Sequence, residues 1–279
     1  MLDSLLARNP WFDGEIVVIH HGLDETEQTR LAAAFPRLRT MSPPKPLTVA
    51  LDALAEMHPH LAGRIARFHS LATFWIEGNQ DILFCDSDLL FTGDMSAIFA
   101  EEGDLLAAPD RAMLQGNRRD PVTLQELDGA GGPASHRSFN AGLMVLRPAL
   151  RCEANRARIL EQLDGAFWTD LRSNHTDQAL LYRMFGEIVT LLDQRYNRMV
   201  GHAESLRGMA DLPIEKACVL HFNGPAKPWR LERHSDKALE DAHFIKALEL
   251  WFDAHCKFLV RQHFSSRFLP AADNKKPPV

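Results

Sequence analysis

Residues 82–91, I-L-F-C-D-S-D-L-L-F, limit the fold of this chain more than any other stretch. Ile82 to Cys85 form a short apolar run without a polar break, as a strand buried on both faces requires. The run ends in two carboxylates separated by Ser87. Residues i and i+2 of an extended segment share a side, so Asp86 and Asp88 are expected to converge on one small hard cation while Ser87 turns away. Carboxylates and water suit Mn²⁺ or Mg²⁺. Leu89, Leu90 and Phe91 then return to the core and keep the acids against the protein body. Acid pairs of this spacing also decorate plain surface turns. The distinguishing feature here is the place, at the carboxyl end of a buried strand, where open α/β sheets bind ligands.

A chain of 279 residues with 46% hydrophobic content can bury a full core in one large domain, or in one domain with an appendage. Its formal charge of -6 argues against a general nucleic-acid binder. No apolar run reaches the roughly 18 residues that a membrane span needs. Met1 to Pro10 lacks the basic start and continuous apolar segment of a signal peptide, so a cytoplasmic protein is expected. The cysteines at 85, 152, 218 and 256 form no C-x-x-C pair. Free thiols in a reducing compartment are expected, not disulfides or a zinc site.

The rest of the chain alternates strand and helix patterns. A helix is expected over Leu2 to Ala7, then a strand over Glu15 to His20 turned by Gly22. Asp24 caps the next helix, with Glu27 at the capping-box position and Pro36 beyond its end. His20 and His21 lie at a strand end with no ligand-like spacing and are read as structural. Pro43, Pro44 and Pro46 mark a stiff connection. Helical spacing over Leu61 to Ile76 carries Arg64 and Arg67 one turn apart. A short helix (Met95 to Ala100) and a strand (Leu105 to Ala108) follow. From Asp110 to His136 periodicity is lost; this long loop, with Arg118 and Arg119, is expected to be a mobile flap over a site.

Strand character resumes over Ser138 to Arg147, where Asn140 and Gly142 suggest a bend or the close approach of a ligand. Helices are expected over Leu150 to Leu163 and His175 to Phe185, the latter opening with Asp177 and Gln178. Strands over Ile188 to Leu192 and Ala217 to Phe222 come next. His221 ends the second, and a turn-rich loop with Gly224, Lys227 and Trp229 follows it. Lys237 to Leu259 reads as a long amphipathic helix. The basic, aromatic segment beyond it (Arg261, Phe264, Arg267, Phe268) fits either an anionic membrane surface or packing on the core, and residues 273–279 a frayed tail. The order of elements implies a mainly parallel or mixed α/β sheet flanked by helices, with a helical C-terminal extension.

Four segments in this order, L-F-C-D-S-D-L-L-F, S-F-N-A-G-L-M-V-L, H-T-D-Q-A-L-L and L-H-F-N-G-P-A-K-P-W, resemble the retaining GT-A-type glycosyltransferases of family 8. The resemblance spans most of residues 15–230. It implies a catalytic domain over 1–232, with 233–279 as the extension. It implies a Mn²⁺ site (Mg²⁺ being possible) made by Asp86, Asp88 and His221, which holds the diphosphate of a UDP-sugar. Gly224 and Lys227 would stand beside the phosphates, Arg67 and Ser87 near the donor, and Asn140, Ala141 and Gly142 along the donor-sugar pocket. Asp177 and Gln178 would act at the reacting face. Because Gln178 is a neutral amide and a poor nucleophile, front-face transfer is favoured over double displacement.

The resemblance also implies a glycan or lipid-linked acceptor, and the C-terminal segment peripheral membrane contact. One departure from the family is visible: Met1 to Asn9 corresponds only to the end of the first helix. A central strand is then absent from these residues, which would expose a sheet edge. Two other readings are an inactive relative that binds a glycan or protein, and a metal-dependent nucleotidyltransferase. The second does not predict the F-N-A-G and H-F-N-G-P-A-K-P-W segments together.

Overall fold

The structure is a computed structural model that describes residues 1–110, 138–164, 168, 176–200, 212–223, 226–231 and 240–268, with side chains described up to 263. The expected flap, apart from Asp110 itself, lies outside these residues with Arg118 and Arg119. So do Gly224, His175, the expected helix start at 237–239, the tail, and the side chains of Phe264, Arg267 and Phe268.

The principal elements in chain order are α1 (Leu2–Arg8), β1 (Ile16–Ile19), α2 (Glu25–Ala34), β2 (Leu38–Met41), α3 (Lys45–Met57), a 3₁₀ helix (Pro59–Trp75), β3 (Ile82–Cys85), β4 (Leu89–Phe91), β5 (Leu105–Pro109) and β6 (Phe139–Leu146). They continue with α4 (Glu153–Leu163), α5 (Asp177–Phe185), β7 (Val189–Leu191), β8 (Arg198–Met199), β9 (Val219–His221) and α6 (Ala242–Phe268). The strands form three sheets, ordered β1-β2, β3-β6-β5-β7 and β4-β9-β8. Among the described residues β1–β2, β5–β7 and β8–β9 pair in parallel. The pairs β3–β6, β5–β6 and β4–β9 are antiparallel, so the arrangement is a mixed α/β one.

β6 lies between β3 and β5 and is buried along its whole length. On one side it meets Leu47, Leu51 and Leu54 of α3, Phe68, Leu71 and Phe74 of the 3₁₀ helix, and Leu180, Leu181 and Phe185 of α5. The Phe74 and Phe185 rings stack with centroids 5.6 Å apart. On the other side lie Leu5 of α1, Leu89 and Phe91 of β4, and Val219 of β9. Burying one such Leu or Phe contributes roughly 1.5–3 kcal/mol. A third cluster joins Leu90, Leu220 and Phe222 to Phe244, Ala247 and Leu248, which packs the first turns of α6 on the β4-β9-β8 sheet. Farther along α6, Phe252, Leu259 and Val260 are exposed, and Arg261 pairs with Asp3 of α1. Among the described residues no helix is long and apolar enough to cross a membrane.

Several local expectations change. The prolines at 43–46 open a helix instead of spacing a connection: Pro44 is the N-cap of α3 and Pro46 sits in its first turn, where the missing N–H costs nothing. Residues 61–76 do carry helical spacing, but the hydrogen bonding over Pro59–Trp75 is 3₁₀. This is longer than such helices usually run. The expected capping box is present, with Asp24 accepting from Glu27 N at 2.8 Å and Glu27 from Asp24 N at 3.0 Å.

β6 contains an irregularity that matters for the site. Side chains of a regular strand alternate faces, so 139, 141, 143 and 145 should share one. Instead, Phe139 and Ala141 face the first core cluster and Leu143 and Val145 the second. The alternation slips at Gly142, next to a register shift between β5 and β6. This is the bend that Asn140 and Gly142 suggest in the sequence.

β3 pairs only with β6 and β1 only with β2, so among the described residues each has an open edge. Val17, Val18 and Ile19 of β1 and Ile82 to Cys85 of β3 line one cavity of about 790 Å³. Both of these edges border the same cleft.

Candidate active site and metal centre

The chain changes sheets between β3 and β4, and the acid pair forms that corner. Asp86 N donates to Gly142 O at 2.7 Å, extending the β3–β6 ladder, whereas Phe222 N donates to Asp88 O at 3.0 Å, extending the ladder of β4 and β9. Ser87 and Asp88 form a turn. The acids thus converge through a turn between two sheets, not along one extended strand as the spacing predicts. His221 ends β9 opposite Leu89. Its Nε2 lies 3.2 Å from Asp88 Oδ1 and 3.8 Å from Asp86 Oδ2. One ligand atom from each of the three residues falls within 4.8 Å of the others.

The two carboxyls differ. Asp88 is pushed up by burial, but its electrostatic interactions with the His221 ring and the Lys227 ammonium outweigh this and hold it well below the usual carboxylate range. Lys227 Nζ bonds Asp88 Oδ2 and the Phe222 carbonyl. Asp86 is pushed up to about 6, first by desolvation, with Asp88 and Asp177 adding to the rise and His221 and Lys227 opposing it. Its side chain is 47% exposed and lines the cavity.

Two observations show that the residues fit a divalent metal ion. Asp88 Oδ1 is buried and makes no hydrogen bond, an expensive arrangement unless a cation completes it. The floor of the site is glycine by necessity: a Cβ at Gly142 would stand 2.3 Å from His221 Cε1 and 2.7 Å from Asp86 Oδ2. Two carboxylates and an imidazole are a suitable donor set for a first-row divalent ion.

Behind the cluster runs a buried polar network. His221 Nδ1 lies 2.9 Å from Asn197 Oδ1, and Asn197 Nδ2 donates to Asn140 Oδ1 at 2.9 Å. Asn140 Nδ2 reaches Asp110 Oδ2 at 3.2 Å and Gln178 Oε1 at 3.3 Å. Gln178 Nε2 donates to the same Asp110 oxygen at 3.2 Å. Asp177, at the start of α5, accepts from Ser70 Oγ at 2.7 Å and from Thr176 Oγ1 at 3.2 Å. Burial pushes its carboxyl up, against these bonds and the charge of Arg67.

Most of the residues singled out in the sequence thus meet around one corner: Asp86, Asp88, His221, Lys227, Asn140, Gly142 and Gln178 are linked by direct contacts. Asp177 is coupled to Asp86 electrostatically. Arg67 and Ser87 line the cavity, while Arg64 is not among its walls. Ala141 is buried beneath the site and offers Gln178 Oε1 its backbone N–H at 3.5 Å. Sequence reasoning missed Asn197 and Asp110. Asp110 carries the same signal as Asp86, a carboxylate directly after a buried strand, but it reads as the first residue of a loop. His20 and His21, read as structural, also line the cavity together with His69. The His21 and His69 rings are 5.2 Å apart, and burial, then His21, lowers the pKa of His69.

The mixed α/β fold thus carries an acid–acid–histidine cluster where β3 and β9 end. A model of glycosyl transferase family 8 matches residues 4–232, and the chain belongs to that family. Among solved structures, the galactosyltransferase LgtC, determined with donor and acceptor sugar analogues, is 20% identical with a TM-score of 0.65. That match covers 89% of this chain and 88% of LgtC. The glycosyltransferase GlyE of Streptococcus pneumoniae TIGR4 is 18% identical with a TM-score of 0.53, over 90% of this chain and 59% of GlyE. At these identities the likeness is one of fold. A comparison with curated proteins gave no match.

Proposed function

We propose that the chain is a Mn²⁺-dependent retaining hexosyltransferase that takes a sugar from a UDP-sugar and passes it to a glycan or lipid-linked acceptor. The observation that carries this reading is the orphaned Asp88 Oδ1 inside the Asp86, Asp88 and His221 cluster, at the mouth of a cleft of about 790 Å³. A divalent ion held by these residues would supply a Lewis acid to the departing diphosphate. The protein's own groups supply the rest. Arg67 brings fixed positive charge to the cleft, and Lys227 brings it to the acid cluster. Asn140 and Gly142 shape the sugar pocket, with Ala141 beneath it. Asp177 and Gln178 stand where positive charge develops on the sugar.

Gln178 is a neutral amide held by Asn140 and Asp110, which supports front-face transfer over attack by a protein nucleophile. Gln178→Ala is expected to lower kcat roughly 10²-fold and to change donor KM much less, since the lost interaction belongs to the transition state. Equal changes in both would assign Gln178 to ground-state binding. Residues 1–232 form the catalytic unit in this reading, and 233–279 the extension. The exposed Phe252, Leu259 and Val260 support contact with an anionic membrane surface, and the free thiols a cytoplasmic setting. Liposome association unchanged by removal of residues 261–279 together with Phe252→Asp, Leu259→Asp and Val260→Asp would refute the membrane contact.

The deciding experiment is calorimetric titration of UDP into the chain, with Mn²⁺ and then with a chelator. Binding only with metal is expected, followed by donor hydrolysis or transfer when UDP-sugars are screened. Metal-dependent binding without turnover would favour the inactive relative. Pyrophosphate release would favour the nucleotidyltransferase.

A further inference from the structure

We infer that Asn197 is a positioning residue which fixes the proton of His221 on Nδ1 and so keeps Nε2 bare for the metal ion. The inference rests on the metal-site reading above and concerns a residue outside the cluster.

His221 faces conflicting demands. Its Nε2 looks toward two acids, at 3.2 and 3.8 Å, and on charge alone they would draw the ring proton to that nitrogen. A proton on Nε2 would occupy the lone pair that a metal needs. On the other side, Nδ1 lies 2.9 Å from Asn197 Oδ1, an oxygen that can only accept. This decides the tautomer only if the Asn197 amide cannot turn over. Reversed, it would aim its NH₂ at Nδ1 and favour the wrong form.

The network prevents that reversal. Asn197 Nδ2 donates to Asn140 Oδ1 at 2.9 Å, and the backbone N–H of Gly142 donates to the same oxygen at 2.9 Å. Two donors on that oxygen fix the Asn140 amide, whose own NH₂ then points at Asp110 Oδ2 and Gln178 Oε1. Gln178 is fixed in turn, because its NH₂ also donates to Asp110. Asp110 is fully buried, and its carboxylate accepts at the far end. The direction of every bond in the chain follows from that carboxylate and ends at His221. Metal ligation and the sugar-facing amides thereby share one oriented network, the role that outer hydrogen bonds commonly play at metal sites.

The test has two readouts besides turnover. Nitrogen-15 imidazole NMR of the metal-free wild-type chain, at a pH above the ordinary imidazole range, should show His221 as the Nδ1–H tautomer. Asn197→Leu, nearly isosteric, should shift it to Nε2–H and raise the Mn²⁺ Kd about 10–100-fold by calorimetry. Asn197→Asp keeps an acceptor for Nδ1 but cannot donate to Asn140. It should hold Mn²⁺ within about threefold of wild type while kcat falls, because only the Asn140 side of the network is lost. An Nε2–H tautomer in the wild type, or an unchanged Mn²⁺ Kd in a folded Asn197→Leu, would overturn the inference. If Asn197→Leu does not fold, the wild-type tautomer and the Asn197→Asp split decide it. A wild-type chain that binds no Mn²⁺ overturns the metal-site reading, and the tautomer, read without metal, still decides the role of Asn197.

Discussion

Asp88→Asn is expected to lower turnover roughly 10²–10³-fold, the scale seen when one group that stabilises transition-state charge is removed, while leaving the fold intact. Asparagine matches aspartate in volume, so the corner between β3 and β4 keeps its packing. The charge is what changes. Asp88 Oδ1 loses its affinity for a cation, and Lys227 loses the carboxylate it pairs with. The Lys227 ammonium retains the Phe222 carbonyl and partial solvent access, which limits the stability cost. Initial rates across a Mn²⁺ series, beside a thermal melt, would measure both effects. Wild-type Mn²⁺-dependent rates would remove Asp88 from the site.

The second large effect is expected at Gly142, from a single methyl group. The Cβ of Gly142→Ala would come within 2.3 Å of His221 Cε1, 2.7 Å of Asp86 Oδ2 and 2.9 Å of Asn140 Oδ1. Asp86 can swing toward solvent, but His221 cannot retreat: it is 2% exposed and held from behind by Asn197. Overpacking of this kind costs about 1–3 kcal/mol. A displaced imidazole should weaken Mn²⁺ binding at least as much as a lost outer hydrogen bond, by about 10–100-fold. Calorimetric Mn²⁺ binding that matches wild type, in a folded variant, would show that the floor of the site can yield.

The acids, the histidine and Asn140 are legible in the sequence because each stands at or near the end of a strongly apolar strand. The strand sets the position, and the polar residue breaks the pattern. How the acids converge is not legible, since spacing alone cannot tell an extended pair from a turn in which the chain changes sheets. α3 is hidden by its own prolines, although Pro44 and Pro46 with Leu47, Leu51 and Leu54 behind them do form a helix-start signal. The 3₁₀ geometry of Pro59–Trp75 leaves no clear mark, because periods of 3.0 and 3.6 overlap in a short apolar stretch. Asn197 has no local signal at all. It belongs to a short segment whose meaning comes only from the tertiary fold, which sets it against β6 and β9.

The ion pair between Lys227 and Asp88 has a thermodynamic consequence for how ligands load. With nothing bound, the acid is already neutralised by a side chain from the same chain. In the proposed reaction, a cation arriving alone at Asp88 Oδ1 would meet the ammonium on Oδ2 as a neighbouring like charge, and a nucleoside diphosphate arriving alone would meet two carboxylates. Bound together they would relieve each other: the Lys227 ammonium would face the phosphates and the Asp88 carboxylate the cation, so neither charge would be left stranded. The two ligands should therefore bind with positive cooperativity, and linkage requires each to raise the affinity of the other by the same factor. Under the proposed function, a Mn²⁺ affinity measured without nucleotide would underestimate the working value by that factor.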